Sequence, residues 1–213
     1  MRNLLLPPTE KRQQFELCAL GLRDFAGVAD DAPLDPFALA QFAKLMVIDF
    51  AAIEGLSPET RAHLLGDGVE EWSGGACSRP LPNGWRLVIL NPAHGKRRNR
   101  ATLMEEVAHV FLGHTANRLA VVGNPVVPGD AARTLARDYN HDDEEAAYAT
   151  GAAALVPYGA LQRFVMGGRS ADQIARYFRV SRQLVEYRIK VTHLWADYRL
   201  IQSRDSVTST EHV

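Results

Sequence analysis

The chain has 213 residues, 46% of them hydrophobic, and its 24 basic and 25 acidic side chains give a formal net charge of −1. This length favours one domain with an appended segment, and the composition allows a normal buried core. The balanced charge excludes a protein whose main task is to coat nucleic acid or an anionic membrane. No apolar run approaches the roughly 20 residues of a membrane span. We therefore predict a cytoplasmic protein with no membrane contact, in which Cys18 and Cys77 stay reduced.

In the first half of the chain, apolar residues at helical spacing predict helices over 9–26, from Asp35 onward, and over 57–66. Thr9, Asp35 and Ser57 are the expected N-caps. Apolar runs at 45–50 and 85–91 predict two strands. Segment 68–84 is expected to be a loop, and so is the basic run HGKRRNR at 94–100, with its cations in solvent. The alternative for this run is a contact with a substrate or nucleic acid near the cleft.

In the second half, residues 115–130 are expected to be mostly irregular, because they contain two prolines and two glycines. A small-residue helix begins near HDDEE and ends before Pro157, and three helices follow at about 158–166, 170–178 and 181–198. The polar residues 201–213 predict a flexible tail. The predicted class is α+β, mostly helical with a small β-sheet.

The stretch RATLMEEVAHVFLGH, residues 100–114, predicts a helix with the motif Glu-Glu-x-x-His. Residues four apart lie on one face of a helix, so Glu105 and His109 point the same way and Glu106 lies at the edge of that face. Gly113 stands where a helix end is expected. If the helix ends there, His114 lies on the turn beyond it and can fold back toward His109.

In the motif His-Glu-x-x-His, two imidazoles bind a metal and the Glu takes a proton from the bound water. Here Glu105 stands at the first ligand position and Glu106 at the base position. A carboxylate binds Zn²⁺ well, but a second anionic ligand makes bound water less acidic and favours harder cations such as Mn²⁺ or Fe²⁺. His94 and His141 are alternative sources of the missing imidazole. The other interpretation is a solvated helix face without a metal.

Three blocks of sequence resemble the ImmA/IrrE family of metallo-endopeptidases. The run LNPAHGKRRNRATLMEEVAHVFLGH, residues 90–114, resembles that family's strand, polar loop and His-Glu-x-x-His helix. The run EEAAYATGAAALVP, residues 144–157, resembles its E-x-x-A-x-x-x-A-A-x-L-L-x-P helix, and residues 170–191 resemble its closing helices. The resemblance covers about residues 10–195, and its departure is Glu105, where the family has His.

The resemblance implies a zincin-like metallopeptidase core over residues 1–157, a C-terminal helix-turn-helix-like segment over 158–200 and a tail over 201–213. The implied metal ligands are Glu105, His109 and Glu144, with Glu145 as the alternative third ligand if the register slips by one residue. Glu106 is the expected general base. His114 is the expected donor to the charge that develops on the scissile carbonyl oxygen.

The implied function is a metal-dependent endopeptidase-like regulatory protein. Its expected partner is a protein substrate, often a transcriptional repressor that is cut in a stress or mobile-element response. The alternative is a catalytically inactive member of the same fold that binds protein or DNA. For DNA binding, the helix-turn-helix-like segment would use outward side chains, for which the candidates are Arg179, Arg182, Gln183 and Arg188.

Overall fold

The computed structural model describes residues 4–77, 79–114, 119–122, 133–137 and 140–210. These residues are mostly helical with a few short strands, which confirms the predicted α+β class. The helices are α1 (Glu10–Phe25), α2 (Pro36–Phe42), α3 (Pro58–Leu65), α4 (Lys96–Phe111), α5 (His141–Leu155), α6 (Tyr158–Met166), α7 (Ala171–Phe178), α8 (Arg182–Val191) and α9 (Trp195–Thr210). The strands are β1 (Leu45–Ile48), β2 (Gly74–Ala76), β3 (Arg86–Leu90), β4 (Leu119–Val122) and β5 (Arg133–Arg137). Among the described helices, none combines the length and the apolar character needed to cross a lipid bilayer.

Local chemistry fixes where the first helices begin. Asp35 accepts a hydrogen bond from the Phe37 N–H, and Ser57 accepts one from the Thr60 N–H, so both predicted N-caps are confirmed. Each cap is followed by a proline in the first turn, where the missing N–H carries no penalty. Thr9 precedes α1, but its side chain makes no capping hydrogen bond.

The main sheet has the strand order β1-β3-β2, with β1 parallel and β2 antiparallel to β3. Strand β2 lies inside the segment predicted as a loop over 68–84, and that prediction is wrong here. Its Gly-Gly-Ala sequence has little strand propensity, so no local signal marks it. A Cβ on Gly74 would lie 2.7 Å from the Ile89 carbonyl oxygen and 2.9 Å from Thr102 Cγ2. The strand forms because glycine leaves room for β2 between β3 and α4.

A second, two-stranded antiparallel sheet is formed by β4 and β5. The segment predicted as irregular, residues 115–130, therefore contains the strand β4. The rest of that segment lies outside the described residues.

The basic run at 94–100 is not the predicted solvated loop, because α4 begins at Lys96 and includes most of it. Two of its arginines pair with neighbouring segments. Arg98 lies 3.0 Å from a Glu70 carboxylate oxygen, and Arg100 lies 3.2 Å from Asp35. Lysine and arginine are good helix formers, and these ion pairs anchor the first turns of α4.

The single helix predicted over 181–198 is two helices, α8 and α9. The chain turns at His193, which takes a left-handed φ of 62° and donates its N–H to the Lys190 carbonyl oxygen. This turn directs Leu194, which is 4% exposed, into the core. A helix usually ends this way at glycine or asparagine, so the sequence carried no stop signal. Helix α9 continues through Thr210, which includes most of the predicted tail at 201–213.

The C-terminal helices share one hydrophobic core with the rest of the fold, and this core extends across the predicted boundary at residue 157. A buried ion pair joins α8 to α1, with Arg188 Nη2 2.5 Å from Glu16 Oε2. The other Glu16 oxygen accepts the Tyr158 N–H, and Arg188 Nε donates to the Val156 carbonyl oxygen. Arg188 was predicted to point outward, and that prediction is wrong. Its guanidinium pairs with the Glu16 carboxylate and donates to the Val156 carbonyl oxygen at the end of α5, so it does not face solvent.

We expect the substitution Arg188→Met to lower the free energy of unfolding by about 3–5 kcal/mol, because it leaves the Glu16 carboxylate buried without its partner. The control is Arg182→Met on the same helix, where the guanidinium pairs with Glu186 at 2.7 Å but is exposed. That change is expected to lower stability by less than about 1 kcal/mol. Urea unfolding of both variants measures the difference, and equal losses would contradict the role of the buried pair.

Candidate metal centre

Helices α4 and α5 pack closely and run antiparallel, because Gly151 of α5 lies beside Met104 of α4 while Glu144 lies beside His109. A Cβ on Gly151 would lie 3.1 Å from the Met104 carbonyl oxygen and 3.3 Å from the Glu105 nitrogen. The alanines on this side of α5 are also buried, with Ala147 and Ala154 fully inaccessible. The small residues of α5 thus let its first turn approach the second half of α4.

This packing brings together the three predicted metal ligands. One ligand atom each from Glu105, His109 and Glu144 lies within 4.8 Å of the others. His109 Nε2 is 3.4 Å from Glu144 Oε2. Two ligands of a tetrahedral zinc ion, each at about 2.0–2.2 Å from it, lie about 3.3–3.6 Å apart. One imidazole and two carboxylates at this spacing are therefore suited to a divalent cation.

The charges of the site favour a cation as well. Burial raises the pKa of Glu105 to about 7, and the negative charges of Glu106 and Glu144 add to the shift. Burial also lowers the pKa of His109, so its imidazole is mostly neutral at pH 7. A neutral imidazole is the form that binds metals. A cation would have to displace the proton of Glu105, so its affinity would fall as the pH drops below about 7.

The two adjacent acids of α5 point to different neighbours. Glu144 faces His109, whereas Glu145 pairs with Lys11 Nζ at 2.7 Å and with Arg12 Nη2 at 3.4 Å. Glu145 therefore ties α5 to α1. Of the two alternatives left open by the sequence, the geometry favours Glu144 as the third ligand.

His114 folds back onto α4, as expected if the helix ends before Gly113. Helix α4 ends at Phe111, Gly113 has a left-handed φ of 73°, and the His114 N–H donates to the His109 carbonyl oxygen. The two imidazoles meet edge to face, with their Nδ1 atoms 3.0 Å apart. His114 Nε2 lies 3.6 Å from Asp143 Oδ1. Both ring nitrogens of His114 thus face protein groups, which does not favour its predicted role as a donor to the substrate oxygen.

Neither alternative histidine supplies the missing imidazole. His94 is buried beside Asn91 and Glu70, and its pKa is lowered by this burial. His141 groups with Asp142 and Glu145 on the exposed start of α5 rather than with His109. In the described residues, the group around His109 therefore contains a single imidazole ligand, with a carboxylate at position 105.

Sequence reasoning missed two residues beside the site, Asp143 and Tyr148. Tyr148 follows Glu144 by one helical turn, and its ring packs against Tyr187 with centroids 5.0 Å apart. Burial, with smaller contributions from Tyr187 and Glu105, raises its pKa to about 12, so the hydroxyl keeps its proton and can donate it. The four-residue spacing from Glu144 was a signal that could have identified this tyrosine.

We expect Gly151→Ala to disturb the site, because the added methyl group pushes against the α4 backbone. The control is Gly21→Ala on the exposed face of α1, where an added Cβ meets nothing within 4 Å. The control should gain about 1 kcal/mol of stability from its higher helix propensity. Gly151→Ala should show no such gain and should bind metal more weakly. An equal gain in both variants, with unchanged metal affinity, would show that the close contact is unimportant.

The substitutions Glu144→Gln and Glu145→Gln test the choice of the third ligand. The first removes a charged ligand atom beside His109 and should weaken the binding of Zn²⁺ or Mn²⁺ at least tenfold. The second breaks the pairs with Lys11 and Arg12 and should leave metal affinity within about twofold, since exposed pairs contribute little. Competition titration against a chromophoric chelator measures both. The reverse pattern would assign the ligand to Glu145.

The family model described as the IrrE N-terminal-like domain of Peptidase_M78 matches residues 75–190, which is more than half of the chain. The matched segment begins within β2, includes β3 to β5 and α4 to α7, and ends near the end of α8. No match was found among curated proteins. From the extent of this match, the chain belongs to the Peptidase_M78 family and has its mostly helical, zincin-like α+β fold.

Proposed function

We propose that this protein is a metal-dependent endopeptidase in which Glu105, His109 and Glu144 hold the cation and Glu106 is the general base. The observation that carries the proposal is that ligand atoms of these three residues lie within 4.8 Å of one another. Glu144 is 35 residues after His109 in the chain, so only folding brings them together. The Peptidase_M78 match supports a peptidase-like function. A partly buried group of two carboxylates and one imidazole is an unfavourable arrangement that a cation would stabilise.

The residues of the site divide the chemistry between them. A divalent cation bound here would polarise both a water molecule and the scissile carbonyl group. Glu106 follows Glu105 directly and adds to the negative potential around it. We assign to its carboxylate the role of accepting the proton of the attacking water. Tyr148, with its proton retained and its charge interaction with Glu105, is our candidate donor to the developing oxyanion.

The ligand set bears on the identity of the cation. Zn²⁺ is the first candidate because imidazole and carboxylate both suit it. Two carboxylates out of three ligands also suit Mn²⁺ or Fe²⁺ better than a set with two imidazoles would. We propose that the site accepts all three ions, with less preference for Zn²⁺ than a His-Glu-x-x-His site has.

We further propose that the substrate is a protein in the cytoplasm, with a transcriptional repressor as the first candidate. This part of the proposal rests on the family resemblance of the sequence. The second candidate function is a non-catalytic regulatory module on the same fold. It is favoured by the presence of Glu105 where the family motif has His, because a carboxylate ligand makes metal-bound water less acidic.

Direct recognition of DNA by side chains of α8 is less favoured. Among the arginines predicted to face outward, Arg188 is buried against Glu16. Arg182 pairs with Glu186 at 2.7 Å and with Asp172 at 3.2 Å. Two nearby carboxylates reduce the attraction of this guanidinium for a phosphate. A DNA-binding role would show as salt-dependent retention of the protein on duplex DNA.

The substitution Glu106→Gln tests the mechanism, since it keeps the shape of the side chain and removes the base. We expect the variant to bind metal stoichiometrically and to lose at least a hundredfold in cleavage rate. The assay is digestion of a mixed peptide library with the Zn²⁺- or Mn²⁺-loaded protein, followed by mass spectrometry of the new amino termini. The control is Glu186→Gln on α8, and we expect it to leave the cleavage rate unchanged.

Three results distinguish the alternatives. Full activity of the Glu106 variant would remove that residue from the mechanism. Stoichiometric metal without cleavage by the wild-type protein would favour a regulatory module that retains the site. No bound metal after reconstitution with Zn²⁺, Mn²⁺ or Fe²⁺, measured by elemental analysis, would contradict the proposed function.

A further inference from the structure

The two nitrogens of His109 face different partners. Nε2 lies on the ligand side, 3.4 Å from Glu144 Oε2, and Nδ1 lies 3.0 Å from Nδ1 of His114. At the second contact one nitrogen must donate and the other must accept, because two lone pairs or two N–H groups would repel each other. The proton that lies there decides which nitrogen of His109 has a free lone pair.

The ring of His114 is held in place by its backbone. Gly113 takes a left-handed φ of 73°, and the His114 N–H bonds the His109 carbonyl oxygen at 3.0 Å. The His114 side chain is only 13% exposed. This turn aims the imidazole at His109 rather than at solvent, so the contact between the rings is built into the end of α4.

Asp143 lies at the far end of the same contact. Its Oδ1 is 3.6 Å from His114 Nε2. A carboxylate at this position favours the tautomer of His114 that carries its proton on Nε2. The Nδ1 atom of that tautomer is an acceptor, so it takes a hydrogen bond from His109 Nδ1–H, and Nε2 of His109 is left with its lone pair.

We propose that Asp143 and His114 are positioning residues that hold His109 in the tautomer required for binding a metal through Nε2. The inference rests on the proposed function, because it assigns this relay to the metal ligand His109. Glu144 opposes the relay in the absence of metal, since its carboxylate favours a proton on Nε2. A cation held by Glu144 and His109 would exclude that proton, and the hydrogen bonds of Asp143, His114 and His109 would then favour the same tautomer.

The relay has added importance in this chain because position 105 carries Glu. His109 is the only imidazole in the group of three ligands among the described residues. A metal-ligating histidine commonly donates its second N–H to a fixed acceptor, and loss of that acceptor weakens metal binding by about 10–100-fold. Here the acceptor is another imidazole, which is itself oriented by an acid next to the ligand Glu144.

Variants at position 114 separate hydrogen bonding from packing. His114→Phe keeps a ring but removes both nitrogens, and we expect metal affinity to fall about 10–100-fold. His114→Asn places an amide oxygen near the position of Nδ1, so it should restore affinity to within a few-fold of wild type. Asp143→Asn should give an intermediate loss, and the exposed neighbour Asp142→Asn should give none. Competition titration with Co²⁺ and Zn²⁺ measures each constant.

Proton-detected nitrogen NMR of the histidine side chains gives a readout that packing alone would not move. In the Zn²⁺-loaded protein, His109 should show a protected Nδ1–H, which is lost in His114→Phe and shifted in Asp143→Asn. Wild-type affinity in His114→Phe, or equal losses in the Phe and Asn variants, would overturn the inference. If the wild-type protein binds no metal, the proposed function fails. The spectra of the metal-free protein then test the His109–His114 hydrogen bond separately, and its absence overturns the inference.

Discussion

The close approach of α4 and α5 is the constraint on which the site depends. Glu105 and His109 lie on one helix and Glu144 on another, so only helix packing can bring their ligand atoms within 4.8 Å. Gly151 makes this packing feasible, because a Cβ there would press on the Met104 carbonyl group. Interiors are packed too densely to absorb such a group without movement. The residue that sets the geometry of the site is thus one with no side chain and no chemical role.

A second constraint holds the helices that flank this pair. The ion pair of Glu16 and Arg188 joins α1 and α8, and its hydrogen bonds satisfy groups at the junction of α5 and α6. Arg23 of α1 adds a bond to the Ala154 carbonyl oxygen at 2.6 Å. Buried charges are tolerated when partners satisfy them, as they do here. The C-terminal helices are consequently part of the scaffold behind α5, and the family match, which extends to residue 190, crosses the same junction.

The grouping of Glu105, His109 and Glu144 is electrostatically unfavourable in the absence of a cation. Glu105, His109 and Glu144 meet in a partly buried space. Burial, with smaller contributions from the charges of Glu106 and Glu144, raises the pKa of Glu105 to about 7. A structural cluster would be more stable with neutral side chains at these positions. Such unfavourable groupings are concentrated at functional sites, and a bound cation would offset this one. In our proposal, Glu105 keeps the place of the first ligand on the helix face and differs from the His of His-Glu-x-x-His in charge and donor type.

The sequence by itself determined the helices whose caps and periodicity are local, such as α2 and α3, and the strands β1 and β3. It also determined that Glu105 and His109 share a face, since helical spacing requires only the chain itself. Tertiary structure decided the rest. Strand β2 forms because glycine fits beneath α4, α8 and α9 separate because Leu194 packs into the core, and Arg188 turns inward because Glu16 lies opposite. The choice of Glu144 over Glu145, and the pairing of His114 with His109 and Asp143, depend on how two helices pack. No local pattern contains that information, because such contacts join residues far apart in the chain.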